Sequence, residues 1–385
     1  MDTLLPLKRE DQPRAPKVLW TRRLSEAILK PIEVADRFIV VESGGCLYAF
    51  DAVDGTVADN IDFTERMKTA GSHYFSFSGL DELDIKDLVS TPVESRALET
   101  NSIYDLSTLK KIYSRDGGMA GVPLVVGKRA YFGFITEWGD SLVIAFDLEA
   151  GEVIWEKGLD GHRTILKFPP TTDGERLYVR NLSHLTALDI RTGREVWNTK
   201  LTGKEKEEGF RDLIFFSAPV MYNRSLYLFR DEYIIPYRPK TGETNYNSWR
   251  RYLGSIGLNA MEAGPPPIVS RDKLFTAGGL YFISGQLASI GGDPGGFSRI
   301  SSYDMAQKRA LWEIDTGHAS VDKMTLGGKF LVTADFKGKV LCLSSITGDI
   351  LWGSKLEGGV RVKPVIFFGR AYFATDRGLL YCLAL

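Results

Sequence analysis

The sequence predicts an all-β protein built from repeated four-stranded antiparallel units. Short runs alternate between apolar and polar residues, turn residues recur at regular spacing, and no long stretch has the 3.6-residue period of a helix. The composition, 44% hydrophobic and 25% charged, is that of a folded chain. Because repeats can use a whole chain as one unit, we expect residues 1–385 to form a single domain.

A frame of Asp-x-x-x-Gly-x-x-x-Trp defines the repeat. It is complete at residues 147–155 and 189–197, and residues 344–352 keep Gly and Trp but begin with Ser. Weaker copies begin near Asp51, Asp105, Thr241 and Asp304. In this frame Asp accepts the N–H two residues on, and Gly supplies a positive φ for the turn. We therefore interpret the repeated Asp and Trp as turn and core residues, and not as metal ligands or a stacking platform.

Each frame follows a proline and two further strand-like runs, such as residues 176–180 after Pro170 and residues 225–229 after Pro219. A proline, two strands, a small residue before Leu/Phe-Asp, then Thr-Gly and Trp is similar to the repeat of the pyrroloquinoline-quinone-like (PQQ-like) β-propeller family. The resemblance covers nearly the whole chain and implies a β-propeller. The family includes quinone-dependent dehydrogenases and outer-membrane assembly lipoproteins, and fold does not choose between them.

The spacing of the landmark residues predicts eight four-stranded blades, with seven as the alternative. They lie near Pro31, Phe77, Pro123, Pro170, Pro219, Pro267, Met324 and Pro364, and the second blade, at residues 70–116, is degenerate. The last blade reaches residue 385 without a Trp strand. We expect residues 17–21 to supply that strand and to close the ring, with residues 1–16 as a flexible arm.

No cofactor or metal site is predicted. Cys46, Cys342 and Cys382 have no close spacing, and the four histidines are dispersed. Cys342 and Cys382 align with Ala145 and Ala187, so we expect small, buried positions there.

The charge and the N-terminus narrow the class of protein. The net charge of −1 gives no basic excess for nucleic acid. We read no secretory signal at the N-terminus and no apolar run long enough to span a membrane, and we expect a cytoplasmic protein.

Four lysines are predicted to lie at or just before inner strands: Lys30, Lys167, Lys323 and Lys363. In a propeller these starts converge on the axis, where clustered charge would attract an acidic segment of another protein. The alternative is that they are ordinary solvated lysines.

Long insertions form the second candidate surface. They span residues 59–88, 201–214, 250–264 and 284–298. Long loops on a rigid scaffold tend to carry binding. The aromatic and arginine side chains expected in loops, which could equally pack on their own blade, are Trp138, Trp249, Arg250, Arg251, Tyr252 and Phe297.

These features predict a non-enzymatic, protein-binding or assembly scaffold, either a subunit of a complex or an inhibitory (immunity-type) partner. The alternative is a quinone- or sugar-binding oxidoreductase-like propeller enzyme. The resemblance implies that such enzymes carry adjacent cysteines and a Glu/Asn/Asp calcium site, and this sequence has no Cys-Cys pair.

Overall fold

The computed structural model describes residues 14–44, 46–58, 73–76, 100–105, 110–116, 118–136, 140–159, 169–181, 184–201, 218–230, 233–244, 250–251, 268–270, 273–278, 299–304, 307, 309–316 and 323–385. In these ranges every regular element is a β-strand. The described part of the chain holds no helix long and apolar enough to span a membrane. The all-β prediction is confirmed.

The strands form antiparallel sheets, numbered here in chain order. Sheet 1 contains β2 (Glu33–Ala35), β3 (Phe38–Ser43) and β4 (Cys46–Asp51); sheet 2 contains β5 (His73–Ser76), β6 (Thr100–Asp105) and β7 (Lys110–Asp116). Sheet 3 contains β8 (Gly118–Val126), β9 (Arg129–Ile135), β10 (Ser141–Asp147) and β11 (Glu152–Gly158); sheet 4 contains β12 (Thr171–Thr172), β13 (Arg176–Arg180), β14 (His184–Asp189) and β15 (Glu195–Lys200).

The second half of the chain repeats this pattern. Sheet 5 contains β16 (Val220–Tyr222), β17 (Ser225–Arg230), β18 (Tyr233–Tyr237) and β19 (Arg250–Arg251); sheet 6 contains β20 (Ile268–Ser270), β21 (Lys273–Gly278), β22 (Arg299–Asp304) and β23 (Arg309–Asp315). Sheet 7 contains β24 (Lys323–Gly327), β25 (Phe330–Ala334), β26 (Lys339–Ser344) and β27 (Ile350–Lys355); sheet 8 contains β28 (Val365–Phe367), β29 (Arg370–Ala374), β30 (Leu379–Ala384) and β1 (Val18–Arg23).

The turns before the outer strands of sheets 3, 4 and 7 have the geometry that the repeat predicts. The carboxylate of Asp189 accepts the N–H groups of Arg191 (3.1 Å) and Thr192 (2.9 Å). Asp147 accepts the equivalent pair, and the Ser344 hydroxyl replaces the carboxylate in sheet 7. The turn glycines have positive φ, for example +70° at Gly193. The repeated Asp is thus a turn residue wherever it is described.

The repeated Trp packs against the turn glycine of the next sheet. A Cβ added to Gly193 would lie 2.6 Å from Cε3 of Trp155, and Trp155 Nε1 donates to the carbonyl of Ile190 at 3.2 Å. The same contact joins Trp197 to Gly242 and Trp312 to Gly348. A side chain larger than hydrogen would displace the indole, so these glycines are needed for space as well as for φ.

A β-bulge lies at the same place in the outer hairpins. In each hairpin the register shifts directly after the residue that pairs with the aromatic residue of the outer strand. These residues are Ile103, Ala145, Ala187, Ser302 and Cys342. Cys342 and Cys382 are fully buried and not in disulfides. The prediction of small, buried positions for these two cysteines is confirmed.

The first strand completes the last sheet. β1 pairs with β30, and Trp20 lies opposite Cys382. Trp20 also reaches sheet 1, where a Cβ on Gly55 would lie 2.6 Å from its ring. Arg22 Nε donates to the Gly55 carbonyl (2.6 Å), and Tyr372 Oη donates to Ala52 O (2.8 Å). Sheets 8 and 1 therefore meet through the same Trp–Gly contact that joins other consecutive sheets.

Each complete sheet has two distinct ends. At the turn end, the first strand turns into the second and, except in sheet 8, the third turns into the fourth. At the connector end, the second strand turns into the third, and the chain passes from one sheet to the next. At this end Leu356 N donates to Gly338 O and Val360 N donates to Asp335 O, so the segment between sheets 7 and 8 covers the turn of sheet 7.

We predict that deleting residues 1–23 destabilises the protein, whereas deleting residues 1–13 has little effect. The longer deletion removes β1, leaves β30 with an unpaired edge and empties the site of Trp20, a change that alone costs about 3–5 kcal/mol. Urea unfolding followed by far-ultraviolet circular dichroism measures the difference. Equal unfolding midpoints for both truncations would contradict a structural role for β1.

Candidate binding surface at the connector end

Two of the predicted lysines occupy equivalent positions. Thr325 pairs with Val332, and Val365 pairs with Tyr372 with the same seven-residue separation. Lys323 and Lys363 each stand two residues before the first member of these pairs. Thr325 Oγ1 donates to the carbonyl of Pro364 at 2.6 Å, so the two inner strands lie side by side. Both lysines thus mark the connector end of adjacent sheets.

Lys363 lies just before the inner strand of sheet 8. Its side chain is solvent-exposed, yet the surrounding protein desolvates the ammonium group and lowers its pKa. A cation that is both reachable and partly dehydrated attracts an anionic group more strongly than a lysine on a convex surface does. Lys323 is partly buried. The pair therefore provides positive charge at the start of the inner strands.

Lys30 does not share this position. In sheet 1 the pair is Glu33 with Val40, so Ile32 stands where Pro364 stands in sheet 8, and Pro31 stands where Lys363 stands. Lys30 is therefore one residue earlier, level with Val362. The prediction had aligned Pro31 with the prolines that precede the other inner strands. That alignment was wrong by one residue, and it placed Lys30 one residue too late. Lys167 lies outside the described residues.

Arg250 and Arg251 form a strand and not a loop. They make up β19, where Arg250 pairs with Ile234 and Arg251 with Tyr233 at the connector end of sheet 5. The loop expected from residue 250 onward is corrected at these two positions, because hydrogen bonding to β18 completes the sheet. Trp138, Trp249, Tyr252 and Phe297 lie outside the described residues.

The insertions nevertheless leave the sheets at one common end. The predicted insertion 59–88 contains β5 and is corrected there, because residues 73–76 pair with β6. Residues 77–99 connect β5 to β6, and residues 279–298, which include the insertion 284–298, connect β21 to β22. The segments 202–217 and 252–267 follow outer strands, β15 and β19. All of these strand ends belong to the connector end.

Ion pairs also lie at the connector end of sheets 7 and 8. Arg361 Nε lies 3.2 Å from Asp376 Oδ2, and Glu357 lies 3.2 Å from Arg23 and 3.9 Å from Arg377. Three arginines thus share two carboxylates. None of these ion pairs was predicted from the sequence.

Two charged residues at this end were not singled out by the sequence analysis. Burial raises the pKa of Glu33, at the start of β2, from 4.5 to about 7. Arg180, the last residue of β13, is 1% exposed, and burial lowers its pKa to about 9. Neither belongs to a motif, so only the sheet register could have found them.

We predict that Glu33→Gln stabilises the protein at pH 8 by about 1–3 kcal/mol and has little effect at pH 4. Because the folded-state pKa lies above the unfolded value, stability is full below pH 4.5 and is lost as the pH rises through about 7. The glutamine variant lacks this loss. Urea unfolding of both proteins from pH 4 to 8 tests it, and parallel pH profiles would contradict it.

The described residues contain no group of three or more His, Cys, Asp or Glu side chains placed to hold a metal ion. The arrangement at the connector end consists of cations on rigid strand ends next to long insertions. Such an arrangement suits binding of an anionic surface or segment.

Comparison with known proteins identifies the family. The family model described as outer membrane protein assembly factor BamB, a model of PQQ repeats, matches residues 105–295 and 296–384. A relative named outer membrane protein assembly factor BamB, from Legionella pneumophila (strain Paris), is 24% identical over 202 residues. That match spans 51% of this chain and 44% of the relative, less than half of the relative's length.

Solved structures show the same fold. The structure of BamB from Moraxella catarrhalis aligns with 96% of this chain and 100% of its own, at 13% identity and a TM-score of 0.61. A europium-containing methanol dehydrogenase aligns with 96% of this chain and 93% of its own, at 13% identity and a TM-score of 0.64. At this identity the likeness establishes the fold alone. Because the family model matches well over half of the chain, the protein belongs to the BamB-type family of PQQ-like repeat proteins.

Proposed function

We propose that the protein is a protein-binding or assembly module and that its partner binds at the connector end of the sheets. One observation carries this proposal: the strand ends that flank the long insertions lie at the same end as Lys323 and Lys363. The turn end is built from tight turns whose glycines are packed against tryptophans, so it has little freedom to vary. A scaffold that places its variable segments together presents one composite surface.

The family supports binding over catalysis. The relative from Legionella pneumophila is named an assembly factor, and we extend a role of that kind to this chain. The methanol dehydrogenase likeness supports a quinone enzyme by fold alone, and we therefore do not propose one. The cytoplasmic location remains a prediction from the sequence. Because the relative is named an outer membrane protein assembly factor, cell fractionation is the direct test of that prediction.

We also propose that the sheets are the eight blades of a closed propeller. The eight sheets of described strands, the pairing of β1 with β30, and the contact of Trp20 with Gly55 support this arrangement. In a closed ring, inner-strand starts such as those of Lys323 and Lys363 surround one mouth. The partner would then present an acidic segment to that mouth.

We predict that Lys323→Glu/Lys363→Glu loses the protein partner of the wild-type protein. Tagged full-length proteins are expressed in the native cell, purified at low salt, and compared by quantitative mass spectrometry. A polypeptide enriched with the wild type should be depleted at least about tenfold in the double variant, because two attractive charges become repulsive. Binding of that polypeptide should also weaken between 50 and 300 mM salt, since the screening length is about 8 Å at physiological ionic strength.

The matched control is Lys240→Glu/Lys329→Glu, which makes the same charge change at two exposed lysines of the turn end. This control should retain the partner. The proposal is contradicted if both variants retain it equally, if both lose it equally while folded, or if no polypeptide is enriched and purified protein instead carries a quinone absorbance.

A further inference from the structure

β1 is joined to its sheet differently from the outer strands of the other complete sheets. In sheet 7, a five-residue turn holds β27 next to β26, and the Ser344 carbonyl of that turn accepts from Gly348 N at 2.8 Å. In sheet 8, no such turn joins β30 to β1, because the two strands come from opposite ends of the chain. A detached β27 would remain beside its partner, whereas a detached β1 would not.

The contacts of β1 define where detachment would begin. Its connector end is held by hydrogen bonds that follow the strand, from Leu24 N to Gly378 O (2.8 Å) and from Ile28 N to Thr375 O (3.2 Å). Its turn end begins at Val18, which is 53% exposed. Between them, Trp20 and Arg22 bind the turn of sheet 1. The residues before β1 are also held, because Gly353 N donates to Arg14 O and Ala384 N donates to Lys17 O, both at 3.0 Å. An opening from this end must therefore break these two bonds and then the Trp20 and Arg22 contacts.

We propose that β1 is the first element to separate from the folded protein, in a local opening that leaves the other sheets intact and exposes the thiol of Cys382. The opening recovers the chain entropy that was lost when the two ends of the chain were brought together. Through this opening β1 can leave sheet 8 and rejoin it while the other sheets stay folded. This inference is independent of the proposed partner.

Cys342 provides an internal reference. It occupies in sheet 7 the position that Cys382 occupies in sheet 8: each pairs with the outer-strand tryptophan, Trp352 or Trp20, and each is fully buried. Burial raises the pKa of both thiols, to about 12 for Cys342. Neither thiol reacts until its covering strand moves. The two cysteines differ chiefly in how that strand is connected.

The test uses two single-thiol proteins, Cys46→Ser/Cys342→Ser and Cys46→Ser/Cys382→Ser, labelled with methyl methanethiosulfonate at several urea concentrations below the unfolding transition. Cys382 should react at least about tenfold faster than Cys342, with a weaker dependence on urea, as expected of an opening that exposes little surface. Equal rates with the same steep urea dependence would mean that both thiols wait for global unfolding, and the proposal would be wrong.

Arg22→Ala supplies the second measurement. It removes the hydrogen bonds to Gly55 O (2.6 Å) and Asp54 O (3.1 Å) and should speed labelling of Cys382 several-fold, with Cys342 unchanged. Arg22→Lys, which keeps the charge but not both bonds, should have an intermediate effect and serves if the alanine variant does not fold. Acceleration of both thiols by the same factor would also overturn the proposal.

Discussion

The packing of an outer-strand tryptophan on the turn glycine of the next sheet is the contact on which the rest of the structure depends. It requires a residue without a Cβ and a positive φ, and the repeat supplies both. A turn carbonyl also accepts the indole N–H of Trp155, Trp197 and Trp312. The contact fixes how far each sheet lies from the next. Alternate residues of one strand can then be buried on opposite faces: in β29, Tyr372 packs towards sheet 1 and Phe373 towards sheet 7.

This constraint also explains the division between the two ends of the sheets. The turn end carries the glycines and their capping Asp or Ser residues, so changes there disturb the packing between sheets. Among the described residues the connector end carries no equivalent contact with tryptophan, and segments of varied length leave the sheets there. Rigid strands with lysines at their start, such as Lys323 and Lys363, then hold a surface whose composition can change without loss of the fold. Our proposal that a partner binds at this end rests on this division between the two ends.

Much of the fold could be predicted from the sequence because the repeat is a physical unit. The Asp and Gly of the turns, the burial of Cys342 and Cys382, and the strand near Trp20 followed from residue types at fixed spacing. The position of Lys30 did not, because Pro31 lies one residue before the place of the other prolines and only the strand register reveals the shift. Arg250 and Arg251 looked like loop residues because a two-residue strand has no periodicity. The raised pKa of Glu33 depends on burial, which no local pattern encodes.

A double-mutant cycle between Trp155 and Gly193 tests the central contact most directly, since the nearest atoms to a Cβ on Gly193 all belong to Trp155. Gly127, with φ +60° and open space around it, is the control for backbone strain alone. We predict that Gly193→Ala costs at least about 3 kcal/mol in urea unfolding, but only about 1 kcal/mol when Trp155 is Ala, and that Gly127→Ala costs about 1 kcal/mol in both backgrounds. Additive effects at Gly193 and Trp155 would contradict the account.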